Sequence, residues 1–240
     1  MTVDESFLTT RWSVVLAVGD PDPASARDAL LSLCEGYWYP VYAYIRRRGS
    51  GADEAADLTQ GFFARLVEKR DLGGASPERG RFRAFLLAAV RNFMANERDR
   101  AAAAKRGGGV TPLSFDFEGA DTRYALEPAD ERTPEHVFER SWALALLDRA
   151  YEALRSDYEA SGRGEIFDAL KEALQGSAPA RPYAELAGET GMTVAAVKVA
   201  VHRLRRRWKE RLRAEIAGTV STDEEAEAEL GALFEALSRG

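Results

Sequence analysis

The side chains that ordinarily carry covalent or metal chemistry are scarce in this sequence. His136 and His202 are the only histidines and Cys34 the only cysteine, and no two of them are near neighbours along the chain. No zinc-ligand spacing, nucleophile elbow or phosphate-cradling glycine loop is present. Gly107-Gly108-Gly109 lacks the lysine and Ser/Thr of such a loop and reads as a flexible stop. Carboxylates are abundant but form no tight cluster, so the chain is expected to be no enzyme and to hold neither metal nor cofactor. What the sequence concentrates is fixed positive charge: residues 198–213 carry eight Lys/Arg against one acid, and 79–106 eight against two. Such arrays suit a polyanion, because each cation that neutralises a phosphate releases a condensed counterion.

The first array lies within a two-helix pattern over 183–213. A short helix is expected from Tyr183 to about Glu189, with Leu186 and Ala187 inward. Gly191 supplies the turn, and Thr193 is placed to cap the next helix through a free backbone N–H. Val194, Val197, Val201, Leu204 and Trp208 then recur at spacings of three and four, which makes one apolar stripe. The other faces carry Lys198, His202, Arg203, Arg205 and Arg206 among further cations. A charge run on a helix is often only a solvated face. The glycine turn, the threonine cap and the short preceding helix favour a DNA-binding helix-turn-helix instead.

The elements that must position these arrays are helical throughout. The chain has 240 residues of 45% hydrophobic composition, enough for one large domain or two small ones. One cysteine allows no internal disulfide and suits a reducing compartment. No apolar leader and no span of about twenty apolar residues appears, so a soluble, cytoplasmic protein with no membrane partner is expected. The net charge of −6 hides segregation, since 107–160 holds twelve acids against five bases. After an apolar opening at 7–18 and a proline-marked break at Pro21 and Pro23, a helix over 24–48 is expected, kinked or divided at Pro40. Tyr37, Trp38 and Tyr39 on it read as core. Helices over 53–68 and 81–100 follow, separated by a glycine-rich loop at 73–80. An acidic, proline-marked linker is expected between Val110 and Pro134, then helices over 135–159 and 165–174. An acidic tail helix carries Leu230, Leu233, Phe234 and Leu237. The expected fold is all-α with two helical domains: 1–106, a linker at 107–134, 135–213, and a C-terminal extension at 214–240.

With the helices placed, the chain resembles the extracytoplasmic-function (ECF) sigma factors of bacterial RNA polymerase, closest to ECF-like groups with a long inter-domain segment and a C-terminal extension. The likeness covers about 24–106, the sigma region-two domain, and 183–213, the region-four helix-turn-helix. In region four it rests on Tyr183, Glu185, Leu186, Ala187, Gly191, Val197, Lys198, His202 and Arg203. In region two, Glu54, Ala55, Ala56 and Asp57 occupy the positions of the family's DAED motif, followed by Leu58, Gln60 and Phe63. Phe82, Arg83, Phe85, Leu86, Arg91 and Asn92 resemble its FR…L…RN stretch.

The resemblance implies a subunit that binds core polymerase and directs promoter-specific initiation. Glu54, Asp57, Gln60 and Phe63 would meet the polymerase clamp. Thr193, Ala195, Ala196, Lys198, Val199, His202, Arg203, Arg205 and Arg206 would read the minus-thirty-five element in duplex DNA. Arg81, Arg83, Arg91, Asn92, Asn96, Arg98 and Arg100 would engage the minus-ten element and its non-template single strand, where aromatic faces stack on bases and arginines follow the backbone. Two usually acidic positions on the clamp-binding helix are Ala56 and Gly61, with the Thr59 hydroxyl between them. Phosphorylation there would restore negative charge, so a Ser/Thr kinase is a candidate partner, as is an anti-sigma factor. The alternative is a polymerase-independent helix-turn-helix regulator whose N-terminal helices serve dimerisation or sensing.

Overall fold

The computed structural model describes residues 36–68, 82–103, 117, 119–125, 133–174, 181–217, 220 and 222–238. Expectations for 7–18, Pro21, Pro23, Cys34, 73–80, Arg81 and 107–109 lie outside these residues. Among the described residues the chain is all-α, with no strand. Helix α1 is described over 36–47. It is followed by α2 (Ala52–Glu68), α3 (Phe82–Ala103), α4 (Ala120–Ala125), α5 (Pro134–Ala160), α6 (Gly164–Leu170), α7 (Tyr183–Thr190), α8 (Val194–Ala217) and α9 (Asp223–Ser238). A single 3₁₀ turn, Lys171–Leu174, ends what the sequence presents as one helix over 165–174. No helix among the described residues is long and apolar enough to cross a membrane.

The chain packs as two compact units, Met1–Ala145 with Ile216–Gly240, and Leu146–Glu215. This division differs from the sequence expectation. The start of α5 and the C-terminal extension belong with the first unit, and the border falls inside α5 rather than at Pro134.

In the first unit α1 is not divided at Pro40 but helical through it. Proline removes one backbone bond, and the burial of Tyr37, Val41, Tyr44 and Ile45 around it holds the helix together. Tyr37 and Tyr39 are core, as expected, whereas Trp38 is only half-buried. Rings meet edge to face, Tyr37 on Phe82 at 5.2 Å and Phe62 on Phe93 at 5.6 Å, an arrangement favoured by the aromatic quadrupole.

Part of the expected linker is structured. Phe117 sits on Trp38 with ring centroids 5.3 Å apart, and Arg123 of α4 lies 3.9 Å over the Tyr39 ring. Asp121 pairs with Arg46 at 2.7 Å. The rings of Trp38 and Tyr42 against Phe117, that ion pair and two cation–π contacts, Arg123 over Tyr39 and Arg46 over Tyr124, hold this segment on α1.

The tail helix is held by a buried ion cluster. Arg83 Nε and Nη2 donate to the two carboxylate oxygens of Glu229 at 3.2 and 2.8 Å, and Nη1 donates to Glu139 at 2.9 Å. The guanidinium lies 4.3 Å over the Trp142 ring. Leu233 of the same helix is fully buried.

In the second unit one apolar cluster joins α5, α6, α7 and α8 through Leu154, Tyr158, Phe167, Leu170, Leu186, Val197, Val201 and Leu204. Val197, Val201 and Leu204 follow the predicted stripe. Val194, also placed on it, is 42% exposed instead, because at the first turn the helix has not yet reached the core.

Candidate nucleic-acid interface

The two-helix element is built as its residues dictate. Backbone amides of Glu185 and Leu186 bond to the Pro182 carbonyl, starting α7. Arg181 bridges Glu185 and Glu189 on the outside of that helix. The hydrogen bonds that Arg181 donates to Glu185 and then to Glu189 hold its guanidinium above its ordinary pKa, so it stays charged and is paired with those carboxylates. Gly191 ends α7 in the left-handed region, φ +66°, where a side chain is disfavoured. The amide of Ala196 then donates to Thr193 Oγ1 at 3.2 Å, so the threonine caps α8. Thr193→Ala is expected to remove about 1 kcal/mol from this start. Amide exchange over 194–200 should then speed up roughly fivefold without a change elsewhere.

What α8 offers outward follows from what it buries. Val197, Val201 and Leu204 point into the cluster, so Ala195, Val199, His202 and Arg206 run along the opposite side, all exposed. Lys198 and Arg203 stand exposed on either flank. Lys198 Nζ also lies 5.8 Å from the Tyr183 ring centroid, and Ala196 is half-buried near the cap.

Several cations of α8 serve the fold. Arg205 Nε donates to the Ala173 carbonyl at 2.8 Å, satisfying a carbonyl at the end of the 3₁₀ turn. It is half-buried, and through this bond it braces the domain. Arg211 makes a forked pair with Asp157, at 2.6 to 2.8 Å, and Arg207 lies 5.6 Å from the Tyr158 ring centroid. Arg149 pairs with Glu215 at 2.9 Å. Asp157 and Glu215 were not singled out from the sequence, where they read as parts of acidic segments.

On α3 the expected minus-ten residues separate. Arg91, Asn92, Asn96 and Arg98 are exposed. Arg83 is not an outward arginine; it is buried in the cluster with Glu229, Glu139 and Trp142, so it cannot follow a nucleic-acid backbone while that cluster is intact. Arg100 lies on α3 but its side chain is outside the description, as is Arg81 altogether. Asn92 and Asn96 line a groove of about 400 Å³ between α2 and α3, whose walls are Phe62, Leu66, Phe85 and Phe93, with Arg65 at its side.

On α2, Glu54 and Asp57 are exposed and Gln60 is half-buried. Phe63 is buried against Phe62, with centroids 5.0 Å apart, so it supports the helix from inside. Thr59, expected as a surface acceptor of phosphate, is fully buried, and its Oγ1 donates to the Ala55 carbonyl at 2.7 Å. A kinase does not reach that hydroxyl in this fold. Gly61 faces Phe93, whose ring a β-carbon would meet at 3.6 Å, so an acid at this position would start against an aromatic wall.

No group of three or more potential metal ligands is found among the described residues. No family model matches the chain, and no curated protein or solved structure matches it either.

Proposed function

We propose that this chain is a sigma subunit that recruits RNA polymerase to promoters and has no catalytic step of its own. The observation that carries the reading is the α7–α8 geometry: a left-handed glycine turn, a capped second helix anchored by Val197, Val201 and Leu204, and Lys198, His202, Arg203 and Arg206 on its exposed side. Such a helix lies in a major groove with its N-terminal turns at the bases and its cations at phosphates. In this reading α8 contacts the minus-thirty-five element, and Asn92 and Asn96 beside the aromatic groove receive an unstacked minus-ten base. The exposed Glu54 and Asp57 face a basic surface of core polymerase.

The test is reconstituted transcription with core polymerase on a library of upstream sequences. Start-site-selective RNA synthesis is expected; its absence despite sequence-selective DNA binding would leave the polymerase-independent regulator. That second reading draws support from Arg83, whose burial removes one of the arginines expected at the minus-ten element. For α8, Arg203→Ala and Arg206→Ala are each expected to weaken DNA binding about equally on all sequences. Each should also lower the slope of log affinity against log salt by about one. Arg205→Ala should instead lower stability with little change in that slope.

A further inference from the structure

Among the described residues the large hydrophobic side chains left exposed are Val194, Val199 and Phe234, and two of these three stand on the first turns of α8. Val199 stands among the exposed cations of α8, so whatever those cations bind lies within its reach. The polar alternatives nearby are limited. Thr193 has its hydroxyl committed to the cap. Ala195 and Ala196 have no hydrogen-bonding side chain, and no Asn, Gln, Asp or Glu occurs between Thr193 and Trp208. The side chains able to pair with a base edge here are cationic or imidazole: Lys198, His202 and Arg203.

Ala195, Val199, His202 and Arg206 follow one another at spacings of four, three and four, directly opposite the buried Val197, Val201 and Leu204. The stripe that meets the floor of a groove is therefore apolar first and cationic later, with Lys198 and Arg203 flanking Val199 toward the phosphates. In the major groove the one apolar group on a base edge is the 5-methyl of thymine.

We propose that α8 reads its DNA site chiefly through thymine methyl groups, with Val199, 49% exposed, as the specificity-determining contact. This rests on the DNA-binding reading above. Burying one methyl is worth about 0.8 kcal/mol, roughly a fourfold change in affinity. Two methyls beneath Val199 and Ala195 then account for about fifteenfold, comparable to a hydrogen-bonded base contact.

Uracil differs from thymine only by that methyl and keeps every hydrogen-bonding atom. The full chain is used to select binders from a random 20-base-pair duplex pool, and the recovered duplex is remade with deoxyuridine at single thymidine positions. One or two positions are expected to lose about fourfold or more in affinity on removal of the methyl. Val199→Ala should bind the thymidine duplex more weakly and no longer distinguish it from the deoxyuridine duplex at one position. Val199→Thr, which keeps a methyl, should retain most of the distinction. Equal binding of thymidine and deoxyuridine duplexes, or unchanged discrimination by Val199→Ala, overturns the proposal while leaving DNA binding intact. Recovery of no sequence at all removes the DNA-binding reading itself, and this inference with it.

Discussion

Glu229→Ala is expected to destabilise the unit formed by Met1–Ala145 and Ile216–Gly240 by about 3–5 kcal/mol, the cost of stranding a buried charge. Glu229 is 1% exposed and accepts two of the hydrogen bonds of Arg83, whose own side chain is 10% exposed. Without it the guanidinium keeps, among the described residues, Glu139, whose side chain is 34% exposed, and the face of Trp142. Glu139→Ala should cost far less, about 1 kcal/mol or below, since that carboxylate is already partly in water. The double replacement Arg83→Met with Glu229→Leu should recover most of the loss, because an apolar pair of similar volume carries no desolvation cost. Thermal melting followed by tryptophan emission, to which Trp142 contributes from beside the pair, reads all four proteins. A melting midpoint unchanged in Glu229→Ala would show that the tail helix is not anchored through this pair.

Leu204→Ala is expected to have the largest effect on the second unit, about 2–5 kcal/mol. Leu204 is fully buried at the centre of the cluster shared by α5, α6, α7 and α8. Removing it leaves a cavity beneath the helix that carries Lys198, His202 and Arg203. A small domain has little stability in reserve, so a large fraction of Leu146–Glu215 should unfold. Amide protection across α8 should fall toward that of an open helix, and DNA affinity should fall with the folded fraction. Protection in α1 and α2 should remain unchanged, since they belong to the other unit. Loss of DNA binding with full protection retained in α8 would mean that Leu204 acts on the surface rather than through the core.

Much of the α7–α8 element was legible in the residues. Gly191 and Thr193 act over a few bonds: a left-handed turn needs glycine, and a cap needs a hydroxyl at the first turn, so both follow from local order alone. The buried Val197, Val201 and Leu204 were legible for a related reason, because helical spacing fixes which side chains share a face. The same periodicity overreached at Val194, since it does not know where a partner surface begins.

The roles of individual charges were not legible. Arg83, Arg205 and Arg203 look alike in the sequence, yet the first is buried, the second half-buried and the third exposed. Glu229 carried a faint signal, standing four residues before Leu233 within the apolar register of the tail, but its partner is 146 residues away. Thr59 and Phe63 likewise sit on an amphipathic helix where exposure depends on what covers it.

By itself, the sequence determined most of the described helices, though not α4, together with the turn and cap between α7 and α8 and the concentration of cations along α8, because each depends on neighbours within about one helical turn. Only the tertiary structure decided which cations face outward, that the C-terminal extension packs with the first unit, and that Thr59 lies inside. Those outcomes depend on contacts between residues far apart in the chain, where burial and charge pairing are set by the partner surface and not by the local pattern.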